Sequence, residues 1–169
     1  MWDHRFSEVR IKRAGPSLLG VELLLPLSRL EDFISAAQKV GRDYGLPIYT
    51  YGSIVSERYV QLNAFFPADE RRNLPYLLSL SITKKLHDVA HKLGGRPYGV
   101  GLWNTPFLGH TYSRQDLMEL RRRKQLLDPD GIMNPGKLYA PPTPLTPLLF
   151  GLAMDTLALF RRFTLSGGI

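Results

Sequence analysis

Gln61 and Asn63 stand two residues apart in "RYVQLNAFF", a stretch that otherwise reads as a strand. Carboxamides at alternate strand positions share one face, and each can both donate to and accept from a ligand. The preceding segment "PIYTYGSI" sets Tyr49 and Tyr51 at the same spacing. Further on, "GRPYGVGLWN" crowds Tyr98, Trp103 and Asn104 among glycines, where backbone and aromatic rings can approach a flat ligand closely. His87 and His91 lie four residues apart in a helical stretch and could share a metal. No Glu follows His87 in the zinc-protease arrangement and no third ligand is evident, so the expectation is two solvated histidines and no metal.

Other chemistries drop out on composition. The chain has no cysteine, which removes disulfide scaffolds, cysteine zinc sites and thiol nucleophiles. That fits a reducing compartment, and the cytoplasm is the expected location. "GVGLWN" lacks the third glycine of a dinucleotide fingerprint, and no P-loop lysine follows it. No nucleophile elbow is present. The net charge of +7 permits an anionic partner, but the basic residues are spread along the chain. Their densest run, Arg121 to Lys124, is expected to be a solvated helix face.

The elements that must position these residues follow from periodicity. With 169 residues, 44% of them apolar, the chain can bury one substantial core. "LLGVELLLP" is an apolar run of strand length. "SRLEDFISAAQKVGRDYG" predicts a helix with Leu30, Phe33, Ile34, Ala37 and Val40 on one stripe and Ser28 with Glu31 as a capping box. The Tyr49 and Gln61 segments predict two strands, the second with Val60, Leu62 and Ala64 opposite Gln61 and Asn63. "PADERRNLPYLLSLSITKKLHDVAHKLGG" predicts a long helix, and "RPYGVGLW" a short last strand or extended loop. Ser113 with Asp116 caps a further helix that stops at "DPDG". The order β-α-β-β-α-β predicts an α+β, ferredoxin-like antiparallel sheet with both helices on one face, plus an extra C-terminal helix and tail.

From Ala140 the composition changes. "APPTPLTP" is a proline-rich connector, and "LLFGLAMDTLALFRRF" predicts an amphipathic helix. It is too short and too interrupted by Asp155 for a membrane span. Residues 145–163 are therefore expected to contact a neighbouring domain or, peripherally, a membrane surface.

"LLDPDGIMNPGKLY", behind the basic helix, resembles the C-terminal signature of the FAD-linked oxidases, the superfamily of vanillyl-alcohol oxidase, glycolate oxidase and D-lactate dehydrogenase. Its Asp-Pro-x-Gly-Ile-(Met/Leu)-(Asn/Ala)-Pro-Gly-Lys pattern matches residues 128 to 137 without a gap. "WDHRF" and "GVELLLPLSRLEDFI" are similar to the family's opening Trp-x-x-Arg element and its first strand and helix, so that the likeness covers residues 2 to 139. The resemblance implies a division into residues 1–139, a substrate-capping C-terminal domain, and 140–169, the connector and tail. It also implies an FAD-dependent oxidoreductase acting on CH–OH in a hydroxy acid or alcohol. FAD would be bound largely by an N-terminal domain that this sequence does not contain, leaving the chain inactive alone.

The same resemblance suggests site residues. Arg5 falls on the arginine that meets the substrate carboxylate in 2-hydroxyacid dehydrogenases, and Asn63 on a substrate-contacting asparagine. Tyr98 falls on the tyrosine of the phenol-oxidising branch and is the catalytic candidate, with Gln61, Trp103 and Asn104 shaping the substrate pocket. Asn134 and Lys137 belong to the turn that closes toward the flavin. The departures are as informative. The family's strand histidines fall near Ile54 and Gln61, its Gly-Glu-His-Gly segment is "GGRPYGVG", and the arginine after the tyrosine is Gly99. No metal is therefore expected. The alternative from another class is a non-enzymatic ferredoxin-like module that binds a ligand or nucleic acid. No Lys/Arg-Gly-(Phe/Tyr) strand motif supports base stacking, so nucleic acid is not the expected partner.

Overall fold

A computed structural model of the chain describes residues 10, 13, 16–99, 101–137 and 147–165. Four strands and four α-helices follow in the order β1 (Ser17–Pro26), α1 (Leu30–Asp43), β2 (Tyr49–Ile54), β3 (Tyr59–Ala68), α2 (Asn73–Lys92), β4 (Arg96–Pro97), α3 (Arg114–Leu127) and α4 (Pro147–Leu165). The sheet order is β2-β3-β1-β4, with every neighbouring pair antiparallel. This is the predicted ferredoxin-like α+β arrangement.

Strand alternation explains where the core sits. Val21, Leu23 and Leu25 of β1 and Val60, Leu62, Ala64 and Phe66 of β3 are buried on one face. They meet Phe33 and Ala37 of α1 and Ile82, Leu86 and Ala90 of α2. Each fully buried Leu, Ile or Phe contributes about 2 kcal/mol by leaving water, so this face alone commits the sheet to one register. The opposite face carries the residues of functional interest.

Local predictions fare unevenly. Ser113 Oγ accepts from the Asp116 amide at 3.1 Å, and Asp116 accepts from the Ser113 amide at 3.0 Å, which is the predicted capping box of α3. Ser113→Ala should destabilise the chain by about 1 kcal/mol, measured as a urea midpoint shift. The Ser28–Glu31 box does not form. Leu27–Arg29 make a 3₁₀ turn, the Leu27 amide is taken by the Arg58 carbonyl at 2.8 Å, and no side chain caps α1. Helix α2 occupies Asn73–Lys92 of the stretch read as helical, with Pro75 in its first turn. Pro67 and Ala68 still belong to β3, and Asp69 holds Arg71 through its amide and guanidinium, so the chain turns before Asn73.

The amphipathic tail finds cover within the chain. Helix α4 lies against α2 and the 3₁₀ segment Leu102–His110, and it buries Phe150, Met154 and Ala158. Lys84 pairs with Asp155 at 3.1 Å, and Arg161 donates to the Tyr44 carbonyl at 2.8 Å. At least one face of the tail thus needs no external partner. Among the described residues no helix is long and apolar enough to cross a membrane.

Candidate functional site

The polar row predicted on β3 becomes a row across the whole sheet. Residues directly opposite in antiparallel strands share a face. Asn63 lies opposite Tyr51 on β2 and opposite Glu22 on β1. The Tyr98 amide donates to the Glu22 carbonyl at 2.9 Å, which continues the ladder one residue past β4. Tyr51, Asn63, Glu22 and Tyr98 therefore stand in line on the face away from the helices. Adjacent rows on that face hold Ser53, Gln61, Leu24 and Arg96 on one side and Tyr49, Phe65 and Gly20 on the other.

The row joins aromatic surface to hydrogen-bonding capacity. The Tyr98 side chain is 52% exposed and Tyr49 and Tyr51 are also exposed, whereas Asn63 is only 8% exposed. The Tyr51 and Phe65 rings lie 5.5 Å apart. Gln61 Nε2 donates to Glu22 Oε1 at 3.0 Å. Glu22 was not among the sequence candidates, although a charged residue inside "GVELLL" marks the solvent side of an alternating strand.

Trp103 and Asn104 lie elsewhere. With Leu18, Tyr76, His87 and Phe107 they line a cavity of about 290 Å³ at the end of β1 that β4 leaves unpaired. Asn104 Nδ2 donates to the Gly99 carbonyl at 2.6 Å and so braces the loop after Tyr98, whereas the buried His87 Nδ1 has no hydrogen-bond partner among the described residues.

His87 is the second surprise of this region. It was expected to be solvated, yet it is 3% exposed and stacks on Phe107 at 4.0 Å. Burial, with a smaller contribution from the His110 charge, lowers its pKa to about 4, the nearby Asn104 carboxamide opposing the shift slightly. Burial and the His91 charge likewise lower His110. His91 is exposed and stacks on His110 at 3.8 Å. Among the described residues no three His, Cys, Asp or Glu side chains form a group that could hold a metal.

The "LLDPDGIMNPGKLY" segment is organised around Asp128. Its carboxylate accepts from the Ile132 amide at 2.8 Å and the Met133 amide at 3.0 Å, and it pairs with Lys124. The Lys124 hydrogen bond, aided by those amides and opposed by burial, holds its carboxyl below the usual range. Asn134 (φ 48°) and Lys137 close a turn through Lys137 N to Asn134 O at 3.2 Å, with Pro135 and Gly136 (φ 69°) in the central places of a type II turn. Both border a cleft of about 490 Å³ with Arg121, Lys124 and Asp128, separate from the polar row. The basic run itself is a solvated face: Arg122 and Arg123 both bind Glu119 and hold its pKa to about 2. Arg5 lies outside the described residues.

Comparison with known proteins adds one firm finding. No curated protein matches the chain. The model of the family described as FAD linked oxidases, C-terminal domain, matches residues 1–138. With its sheet topology and its Asp128–Lys137 signature, the chain belongs to that family and is a domain of an FAD-dependent oxidoreductase.

Proposed function

We propose that residues 1–139 form the substrate cap of an enzyme that oxidises CH–OH in an alcohol or hydroxy acid, with the outer sheet face turned toward FAD held mainly by an N-terminal domain. The observation that supports this reading is the row Tyr51–Asn63–Glu22–Tyr98 on a face that the chain's own helices leave open. Four strands at their usual spacing span about 14 Å, enough for a tricyclic ring and a small substrate. The aromatic and carboxamide groups on that row suit the ring end of a flavin, whereas the sequence carries no fingerprint for its phosphates.

Bound FAD would supply the hydride acceptor, and this chain's residues would orient the substrate and keep water out. In this reading the Tyr98 hydroxyl and the Asn63 carboxamide hold the substrate hydroxyl. Gln61 fixes the neighbouring Glu22 carboxylate, and Asn104 positions the Tyr98 loop from behind through Gly99. Trp103 walls the far side of that loop. Asn134 and Lys137 present the turn to the flavin-binding domain, and residues 140–169 form the connector and tail.

In the flavin-loaded enzyme, Asn63→Ala and Tyr98→Phe are each expected to lower kcat by about 10²-fold with flavin content unchanged. Stopped-flow flavin reduction measures the step directly. Unchanged reduction in both variants would remove this face from the active site.

A further inference from the structure

We propose that Glu22 sets the substrate class of this face. Its carboxylate accepts a hydrogen bond from an uncharged or cationic donor, an alcohol hydroxyl or an amine, and turns away substrates bearing a carboxylate next to the reacting carbon. The proposal rests on the reading of the outer sheet face as the substrate face, and it narrows that reading to alcohols over hydroxy acids.

Position is the first argument. Glu22 lies on β1, with β3 and β4 on either side, opposite Asn63 and level with Tyr98. Glutamate is a poor strand former, and an exposed edge would accommodate it more easily than a central strand. Orientation is the second. Gln61, 39 residues away, donates to Oε1 at 3.0 Å and so aims the carboxylate. A Cβ placed on Gly99 would stand 3.3 Å from Oε2, so the second oxygen reaches the loop that carries Tyr98. A glycine there leaves Oε2 open to a ligand.

Charge is the third argument. An ionised carboxylate offers about four acceptor sites, and among the described residues Gln61 is its one side-chain hydrogen-bond partner. The ion pairs of Arg29, Arg71, Lys84, Arg122, Arg123 and Lys124 all go to other carboxylates. Arg96, on the outer face beside β1, stands one row away opposite Leu24, and the ion pairs among the described residues do not join it to Glu22. Among the described residues no cation pairs with Glu22, so a carboxylate-bearing substrate in this row would face a like charge there, whereas an amide or hydroxyl donor would complete its hydrogen bonding.

The test uses benzamide and benzoate, unoxidisable probes of nearly equal shape that differ in charge. Their binding to the oxidised holoenzyme is read from the flavin absorbance band at fixed ionic strength. Benzamide is expected to bind about tenfold more tightly than benzoate, the penalty of one screened like-charge pair. Glu22→Gln should bring the two to parity. Benzoate binding to the wild-type enzyme as tightly as benzamide would overturn the proposal, and that comparison needs no folded variant. An unchanged preference in Glu22→Gln would overturn it too. If Asn63→Ala weakens both probes alike while Glu22→Gln leaves their ratio untouched, the face stands and the role of Glu22 falls. If neither substitution alters either probe, the substrate-face reading fails with it.

Discussion

Lowering the pH from 7 to 4 is expected to destabilise the chain by about 3 kcal/mol through His87 alone. The imidazole titrates at 6.5 in its ordinary state and at about 4 when buried against Phe107. Between those values the unfolded chain takes up a proton that the folded chain refuses. Stability is therefore fully present above pH 6.5, falls as pH drops through the window, and levels off below pH 4 as far as this group is concerned. His110 is depressed in the same direction, with His91, Asp88 and Lys84 around it, so the wild-type slope belongs to more than one histidine. Urea unfolding at a series of pH values for wild type and His87→Leu separates them. The variant should lose most of the difference between pH 6.5 and 4. A variant as acid-sensitive as wild type would show that His87 is not held neutral in the fold.

Replacing Asp128 with Ala is expected to dissolve the turn that carries the family signature while leaving the sheet intact. One carboxylate holds the Ile132 and Met133 amides and the Lys124 ammonium, and Lys124 in turn reaches the Met133 carbonyl at 2.7 Å. Removing it strands all of these groups at once, in a segment where Gly131, Asn134 and Gly136 already require positive φ. Amide exchange at Ile132 and Met133 should accelerate by about 10²-fold, with the amides of Leu23 and Leu62 unaffected. Asp128→Asn keeps an acceptor for the amides but not the ion pair, and it should fall between the two. If exchange in the 128–137 segment stayed at the wild-type rate in Asp128→Ala, the turn would owe its shape to its glycines and prolines alone.

The local devices of this fold are legible because they depend on neighbours in sequence. The Ser113–Asp116 box, the type II turn at Pro135–Gly136 and the core stripe of α1 are each written within a few residues. Failures came where a distant group competed. At the start of α1 the Leu27 amide pairs with the distant Arg58 carbonyl, and a 3₁₀ turn over Leu27–Arg29 stands where the Ser28–Glu31 box was expected. His87 and His91 share a helix and spacing, yet one is buried and the other exposed. The difference is set by Phe107, which comes from the segment after β4 and stacks on His87.

By itself the sequence determined the element order, the buried and open faces of each strand, and the motif that marks the family. Hydrophobic alternation and turn chemistry are local properties with periods of two or 3.6 residues. Only the tertiary structure decided which open-face residues meet. Strand register places Glu22 between Asn63 and Tyr98, and it moved Trp103 and Asn104 to a different cavity. It also laid α4 on α2. Those outcomes depend on which long-range pairings bury the most apolar surface, and that is a property of the packed chain rather than of any one segment.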